Sequence, residues 1–406
     1  ERKQMLEGKR PDGCSYCWKV EDAKSDDPKG HMSDRHYRSS EWWNAPTFEE
    51  VTQNKFDYDV VPRYVEVNFN QACNFKCMYC SPHLSSSWEE EVKKHGGYQL
   101  TGMIHNNLEA LEQKGMMPLK VANKDNPYVE AFWQWFPEIY RKLRVFRMTG
   151  GEPLMDKNTF KVLDYVNENP HGQLEVSITS NMCPPDQKLF DKFVEKVKAL
   201  EELRTYEDKE NFNVHSGNNW YVDKGFKHFW LFVSLDGYGK QAEYMRRGLN
   251  YELFLENVNT VLETVPTAYL SFMTTYNVLT VPYFKDFLQL IVELREKWGE
   301  RILIDIPHLK EPPHWTMNIL PPEFGTYIDN DVQYMKQNGF SDIEIGKMER
   351  VREYFYNDTH NITDEYRLNG RKDFAKFFPE YDRRSNSSLI ETFPEFSEFL
   401  EWCKTL

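Results

Sequence analysis

Three thiols at C-x3-C-x2-C spacing, in Cys73-Asn74-Phe75-Lys76-Cys77-Met78-Tyr79-Cys80, constrain this chain more than any other stretch. The alternating run before them, Tyr64-Val65-Glu66-Val67-Asn68-Phe69, reads as a strand. A short loop at that strand's C-terminal end therefore presents three thiolates, enough to grip one face of a small metal centre. Iron–sulfur clusters are held by four thiolates as a rule. A three-cysteine loop thus leaves one metal position for a ligand that is not protein. The plainer alternative is zinc completed by a distant His or Cys, because C-x2-C pairs with further ligands elsewhere are common zinc sites.

A second stretch, Phe146-Arg147-Met148-Thr149-Gly150-Gly151-Glu152-Pro153, is an apolar strand that runs into a turn. Gly150 and Gly151 have no side chains, so a ligand can come close to the backbone there. Glu152 brings a carboxylate, which suits an ammonium group. With both motifs in one chain, residues 64 to about 306 resemble the radical S-adenosylmethionine (SAM) enzymes. The resemblance implies that Cys73, Cys77 and Cys80 hold a [4Fe-4S] cluster and that SAM chelates its open iron through amino and carboxylate groups. It implies that the turn Gly150, Gly151, Glu152 and Pro153 holds the methionine amino group and that Tyr79 lies near the adenine. It also implies an electron donor such as flavodoxin or ferredoxin.

Two further strand ends carry small polar residues. Val176-Ser177-Ile178-Thr179-Ser180-Asn181 ends one strand, and Phe232-Val233-Ser234-Leu235-Asp236-Gly237 ends the next. Ser177, Asn181 and Ser234 are candidate contacts to a ribose or a carboxylate, and equally good caps and turns for the following helices. The resemblance to the peptide-modifying branch implies that Ser177 and an arginine ten residues after the aspartate meet the SAM carboxylate. That arginine is Arg246, with Arg247 as the fallback. Tyr269-Leu270-Ser271-Phe272-Met273-Thr274-Thr275 departs from the family by lacking a glycine-rich pattern beneath the adenine.

The rest of the cysteine usage points to a reducing compartment. Five of the seven cysteines sit in two tight clusters, which reads as metal binding in the cytoplasm rather than a disulfide framework. Cys14-Ser15-Tyr16-Cys17 is the second cluster, a knuckle able to give two thiolates to one metal. It resembles the "twitch" segment that holds an auxiliary iron–sulfur cluster in related enzymes. Zinc, reduced thiols and a disulfide are the alternatives. Cys183 and Cys403 read as buried structural residues. The chain begins at Glu1 with a helix-like stretch, so we expect residues upstream of it.

Strand and helix patterns alternate from residue 64 to 306. Strands are expected at 64–69, 144–148, 174–179, 229–234, 267–274 and 301–306, with helices such as Lys157–Val166 and Tyr283–Trp298 between them. The fold class is therefore α/β, with a parallel sheet and helices outside. Six such units match the partial (β/α)6 barrel of the family, and function in β/α barrels sits at strand C-terminal ends. Residues 1–62 are read as an N-terminal auxiliary segment, docked by Trp42, Trp43 and Phe48, with His31 and His36 on the surface. Residues 63–306 form the core, and 307–406 form a C-terminal helical extension that begins with a Pro-rich linker. An insertion at 204–227, rich in Asn, Asp, Glu and Gly, is expected to cover the mouth of the barrel.

The reading is a radical SAM enzyme whose 5′-deoxyadenosyl radical abstracts hydrogen from a peptide or protein. A nucleotide-like or other small molecule is the alternative substrate, and a non-catalytic iron–sulfur or electron-transfer protein is the alternative class. A net charge of −14 argues against indiscriminate binding to nucleic acid. No run approaches the roughly 18 apolar residues of a membrane span.

Overall fold

The computed structural model describes residues 1–22, 33–39, 41, 43–54, 60–101, 106–119, 126–203, 226–356 and 362–406. Six strands form one sheet in chain order: β1 (Tyr64–Asn68), β2 (Val145–Thr149), β3 (His171–Ser180), β4 (Phe226–Ser234), β5 (Tyr269–Met273) and β6 (Ile302–Asp305). Every pairing is parallel. Parallel neighbours need crossovers, and sequential order sends each crossover over the same side of the sheet. The helices Lys157–Glu168, Gln187–Glu202, Tyr251–Thr264 and Phe284–Trp298 lie in these crossovers. With β1 and β6 as its two edges, the sheet is the expected open, partial (β/α)6 barrel.

The two faces of the sheet differ in chemistry. Phe146, Phe229 and Phe272 are fully buried and meet Phe136, Phe193 and Phe287 of the covering helices. The alternate residues face the other way. Glu66, Arg147, Ser177, Trp230 and Tyr269 stand at one register level across five strands. Parallel sheets are usually apolar on both faces, so this polar and aromatic row marks a face that serves something other than packing. Arg147 lies 4.1 Å over the Phe232 ring and donates to Thr179 Oγ1 at 2.9 Å.

The N-terminal segment docks on β1. Trp43 stacks on Tyr64 with ring centroids 6.3 Å apart, and Arg38 lies 4.9 Å over the same ring. Trp43 is thus an anchor, as expected, and His36 is exposed. Trp42, His31 and the Phe48 side chain lie outside what is described, as does the insertion at 204–225. Phe226 and Lys227, read from sequence as part of that insertion, belong to β4.

The C-terminal region is helical, with Gly325–Gln337, Asp342–Tyr356, Asp364–Ser385 and Ser397–Lys404 as its main helices. The Pro-rich stretch before it is not a linker. Trp315 is fully buried, its carbonyl accepts the Val278 N–H at 2.9 Å, and Pro307 O accepts the Tyr276 N–H at 2.7 Å. The stretch pairs with the chain leaving β5 and so becomes part of the core. Cys183 and Cys403 are buried, as expected.

Candidate active site

The cysteine loop is held from below by a serine run. Ser85 caps the helix Ser86–His95 by accepting the Trp88 N–H, and its hydroxyl donates to Phe75 O at 3.1 Å. Ser86 Oγ accepts the Cys73 N–H at 3.2 Å, and Ser87 Oγ donates to Cys73 O at 2.6 Å. Trp88, fully buried, donates its indole N–H to Cys77 O at 2.7 Å. The serine run therefore both caps the helix and fixes the backbone that aims the thiols.

The Gly-Gly turn sits against the start of the same loop. Gly151 N donates to Asn70 O at 3.2 Å, and Glu152 N donates to Ala72 O at 2.7 Å. Gly150 has φ +133°, and a Cβ there would lie 2.5 Å from Asn68 Oδ1. A Cβ on Gly151 would lie 2.3 Å from Ala72 O. These glycines are thus required by the protein's own backbone at Asn70–Ala72, a reason the sequence did not reveal.

Glu152 is hydrogen-bonded within the protein itself. It is 1% exposed. Its Oε1 accepts Leu154 N at 3.0 Å and Ser180 Oγ at 2.8 Å, while Oε2 accepts Asn181 N at 2.7 Å. Burial raises its carboxyl to about 7 despite these donors. Pro153 opens the buried single turn Pro153–Met155, which Glu152 caps. Asn181 also turns inward to the protein. Its Nδ2 donates to Asn74 Oδ1 at 3.0 Å and its Oδ1 accepts Cys183 N at 2.9 Å, so it ties the end of β3 to the cysteine loop.

Arg246 stands beside a thiol. Lys76–Cys77 and Arg246–Arg247 pair as a two-residue antiparallel ribbon, with Cys77 opposite Arg246. Arg246 Nη1 lies 3.5 Å from Cys77 Sγ, and Nη2 donates to Asp236 Oδ1 at 2.8 Å. Tyr79 donates its hydroxyl to Asp236 Oδ2 at 2.7 Å. Arg247, the fallback, is ion-paired with Glu91. Asp236, fully buried, is a residue that sequence reading missed. Its signal was a charge at the end of an otherwise apolar strand. Asn74 and Glu91 carried no such signal.

Ser177 is 3% exposed, and its Oγ is buried without a protein partner. Ser234 is partly exposed at the end of β4. Cys14 and Cys17 lie at the junction of a single turn, Asp12–Cys14, and the helix Ser15–Asp22, and both are partly exposed free thiols.

The donor set of the loop fits an iron–sulfur cluster. Burial, and next the Cys77 charge, push Cys73 and Cys80 up to about 12, so ionisation of these thiols goes with metal binding. Among the described residues, no three Cys, His, Asp or Glu side chains converge on a single-ion site. Thiols that each face a different iron of one cluster need not converge in that way.

The family model described as Radical SAM superfamily matches residues 67–291, more than half of the chain. Among solved structures, the chain is similar to Streptococcus suis SuiB bound to S-adenosylmethionine, at 10% identity and a TM-score of 0.40, covering 76% of this chain and 55% of that one. It is similar to SuiB bound to precursor peptide SuiA at 10% identity and a TM-score of 0.40, covering 88% and 66%. It is similar to native anSMEcpe with bound AdoMet at 13% identity and a TM-score of 0.38, covering 68% and 60%. The chain thus spans between 55% and 66% of the length of these proteins. No protein of curated function matches it in sequence.

Proposed function

This chain belongs to the radical SAM superfamily; from that premise we propose that it is an enzyme that uses a [4Fe-4S] cluster and SAM and that it modifies a peptide or protein. When bound, the cluster and SAM supply an electron transfer that releases a 5′-deoxyadenosyl radical, which takes hydrogen from the substrate. Cys73, Cys77 and Cys80 hold the cluster through their thiolates. The turn Gly150–Pro153, with Gly150 exposed beside the cysteine loop, would receive the methionine ammonium. Ser177 Oγ offers a buried donor to the SAM carboxylate. Tyr79, fixed by Asp236, would meet the adenine, and Ser234 would meet the ribose. Arg147 and Phe232 line the concave face for the substrate.

One observation carries the cofactor reading. The cysteine loop and the Gly-Gly turn form one hydrogen-bonded unit through Gly151 N–Asn70 O and Glu152 N–Ala72 O. The peptide substrate rests on the Cys14/Cys17 segment and its resemblance to twitch segments. That segment, residues 1–62, is the auxiliary unit, 63–306 the catalytic core and 307–406 the helical extension. Among the described residues, no helix is long and apolar enough to cross a membrane. We place the enzyme in the cytoplasm, with a flavodoxin- or ferredoxin-type electron donor.

The test is anaerobic. Reconstituted protein is given SAM and dithionite, and 5′-deoxyadenosine is read by mass spectrometry beside a Cys77→Ala variant. Production by the wild type and none by the variant is the expected result. Equal production, or silence from a fully loaded wild type that also fails to bind SAM, overturns the reading.

A further inference from the structure

The antiparallel ribbon that pairs Cys77 with Arg246 is held rigidly on both sides. Outside it, Glu91 takes both Lys76, at 2.9 Å, and Arg247. Inside it, Asp236 takes Arg246 by Nη2 at 2.8 Å, with Nε also 2.8 Å from Oδ2. Asp236 is itself fixed by the Thr275 N–H at 2.8 Å and the Tyr79 hydroxyl at 2.7 Å. Met78 N donates to Met245 O at 2.9 Å, extending the ribbon by one residue. Arg246 Nη1, which Asp236 leaves, lies 3.5 Å from Cys77 Sγ. Arg246 is 6% exposed.

We propose that Arg246 is a positioning residue that sets the reduction potential of the cluster through the Cys77 sulfur. The inference rests on the reading that Cys77 is a cluster ligand. Reduction places additional negative charge on the cluster and its ligating sulfurs. A cationic donor at one sulfur stabilises the reduced state more than the oxidised one, which raises the potential. Asp236 lies on the far side of the guanidinium, so it aims the donor while cancelling only part of its field at the sulfur. Arg246 and Asp236 are buried, which limits the screening of the interaction by water.

The test uses the full chain, anaerobically reconstituted without SAM, and reads the midpoint potential by EPR-monitored redox titration. Arg246→Gln leaves Asp236 buried and unpaired, so Arg246→Gln/Asp236→Asn is made beside it to remove both charges together. Arg246→Lys keeps the charge without the fork. The expected result is unchanged iron and sulfide per chain, with the double variant's midpoint more negative than wild type and the lysine variant between them. An unmoved midpoint in a fully loaded double variant overturns the inference. An unmoved midpoint with tenfold weaker SAM binding makes Arg246 a SAM ligand and overturns it equally. Loss of iron from every variant assigns the pair to building the loop, also against the inference. A wild type with no reducible cluster strikes the cluster reading itself, and that outcome is separate from the variant comparison.

Discussion

Glu152 Oε2 accepts the backbone N–H of Asn181 at 2.7 Å, joining the turn after β2 to the end of β3. Replacing this oxygen by an amide nitrogen would set two donors face to face. Glu152→Gln is therefore expected to lower stability by about 1–3 kcal/mol, the cost of leaving a buried donor unsatisfied. Denaturant unfolding of the metal-free protein checks this, because no cofactor contact contributes there. A variant as stable as wild type would return the carboxylate to a ligand role.

Gly151→Ala is expected to be worse than its single methyl suggests. The added Cβ would lie 2.3 Å from Ala72 O, a backbone atom one residue before Cys73. The loop must shift as a unit, at a cost of about 1–3 kcal/mol for overpacking. Weaker SAM binding and a lower Tm are expected together. Isothermal titration with SAM and a thermal melt of the reconstituted protein measure both.

Glu175 should give the protein a pH-dependent stability. Burial, opposed by Lys227 at 3.8 Å, raises its carboxyl from 4.5 to about 7. A carboxyl raised in the folded state contributes stability that is complete below its unfolded value and lost as pH rises through about 7. That share is about 3 kcal/mol at most. Glu175→Gln should flatten the stability profile between pH 5 and pH 7.5 in urea unfolding. An unchanged slope would mean that Glu175 titrates normally.

The helix Asp364–Ser385 reaches the site through Tyr381, whose hydroxyl donates to Tyr244 O at 2.9 Å. Tyr244 in turn donates to Asp382 Oδ1 at 2.7 Å. Tyr381→Phe strands a buried carbonyl, at about 1–2 kcal/mol. It should leave iron content unchanged, since the contacts to the cysteine loop remain. Chemical denaturation and an iron assay on the same preparation separate the two effects.

If residues 1–62 hold an auxiliary cluster, protein carrying Cys73→Ala, Cys77→Ala and Cys80→Ala keeps part of its iron. Adding Cys14→Ala and Cys17→Ala should then remove it. Iron at zero in the triple variant would count against the segment as a cluster site.

The order and type of the elements were legible in the sequence. Period-two runs with βα spacing gave six strands within a few residues of their final bounds. The cysteine spacing and the Gly-Gly-Glu-Pro turn were legible for the same reason, since each is contiguous and its chemistry lies in adjacent residues. The insertion's end and the Pro-rich stretch were misread because burial, not composition, decides them. Trp315 is core only because the chain leaving β5 pairs with it.

What the sequence by itself determined is therefore the family and the scaffold that presents its motifs. Tertiary structure alone decided how the polar side chains are used. Glu152 and Asn181 turn to the protein, Arg246 faces Cys77, and Asp236 becomes the hub between Tyr79, Arg246 and Thr275. The partners of Arg246 and Asp236 lie 10 to 169 residues apart in the chain. A side chain's hydrogen-bond partner is fixed by what the fold brings within about 3 Å of it, and no local pattern carries that information.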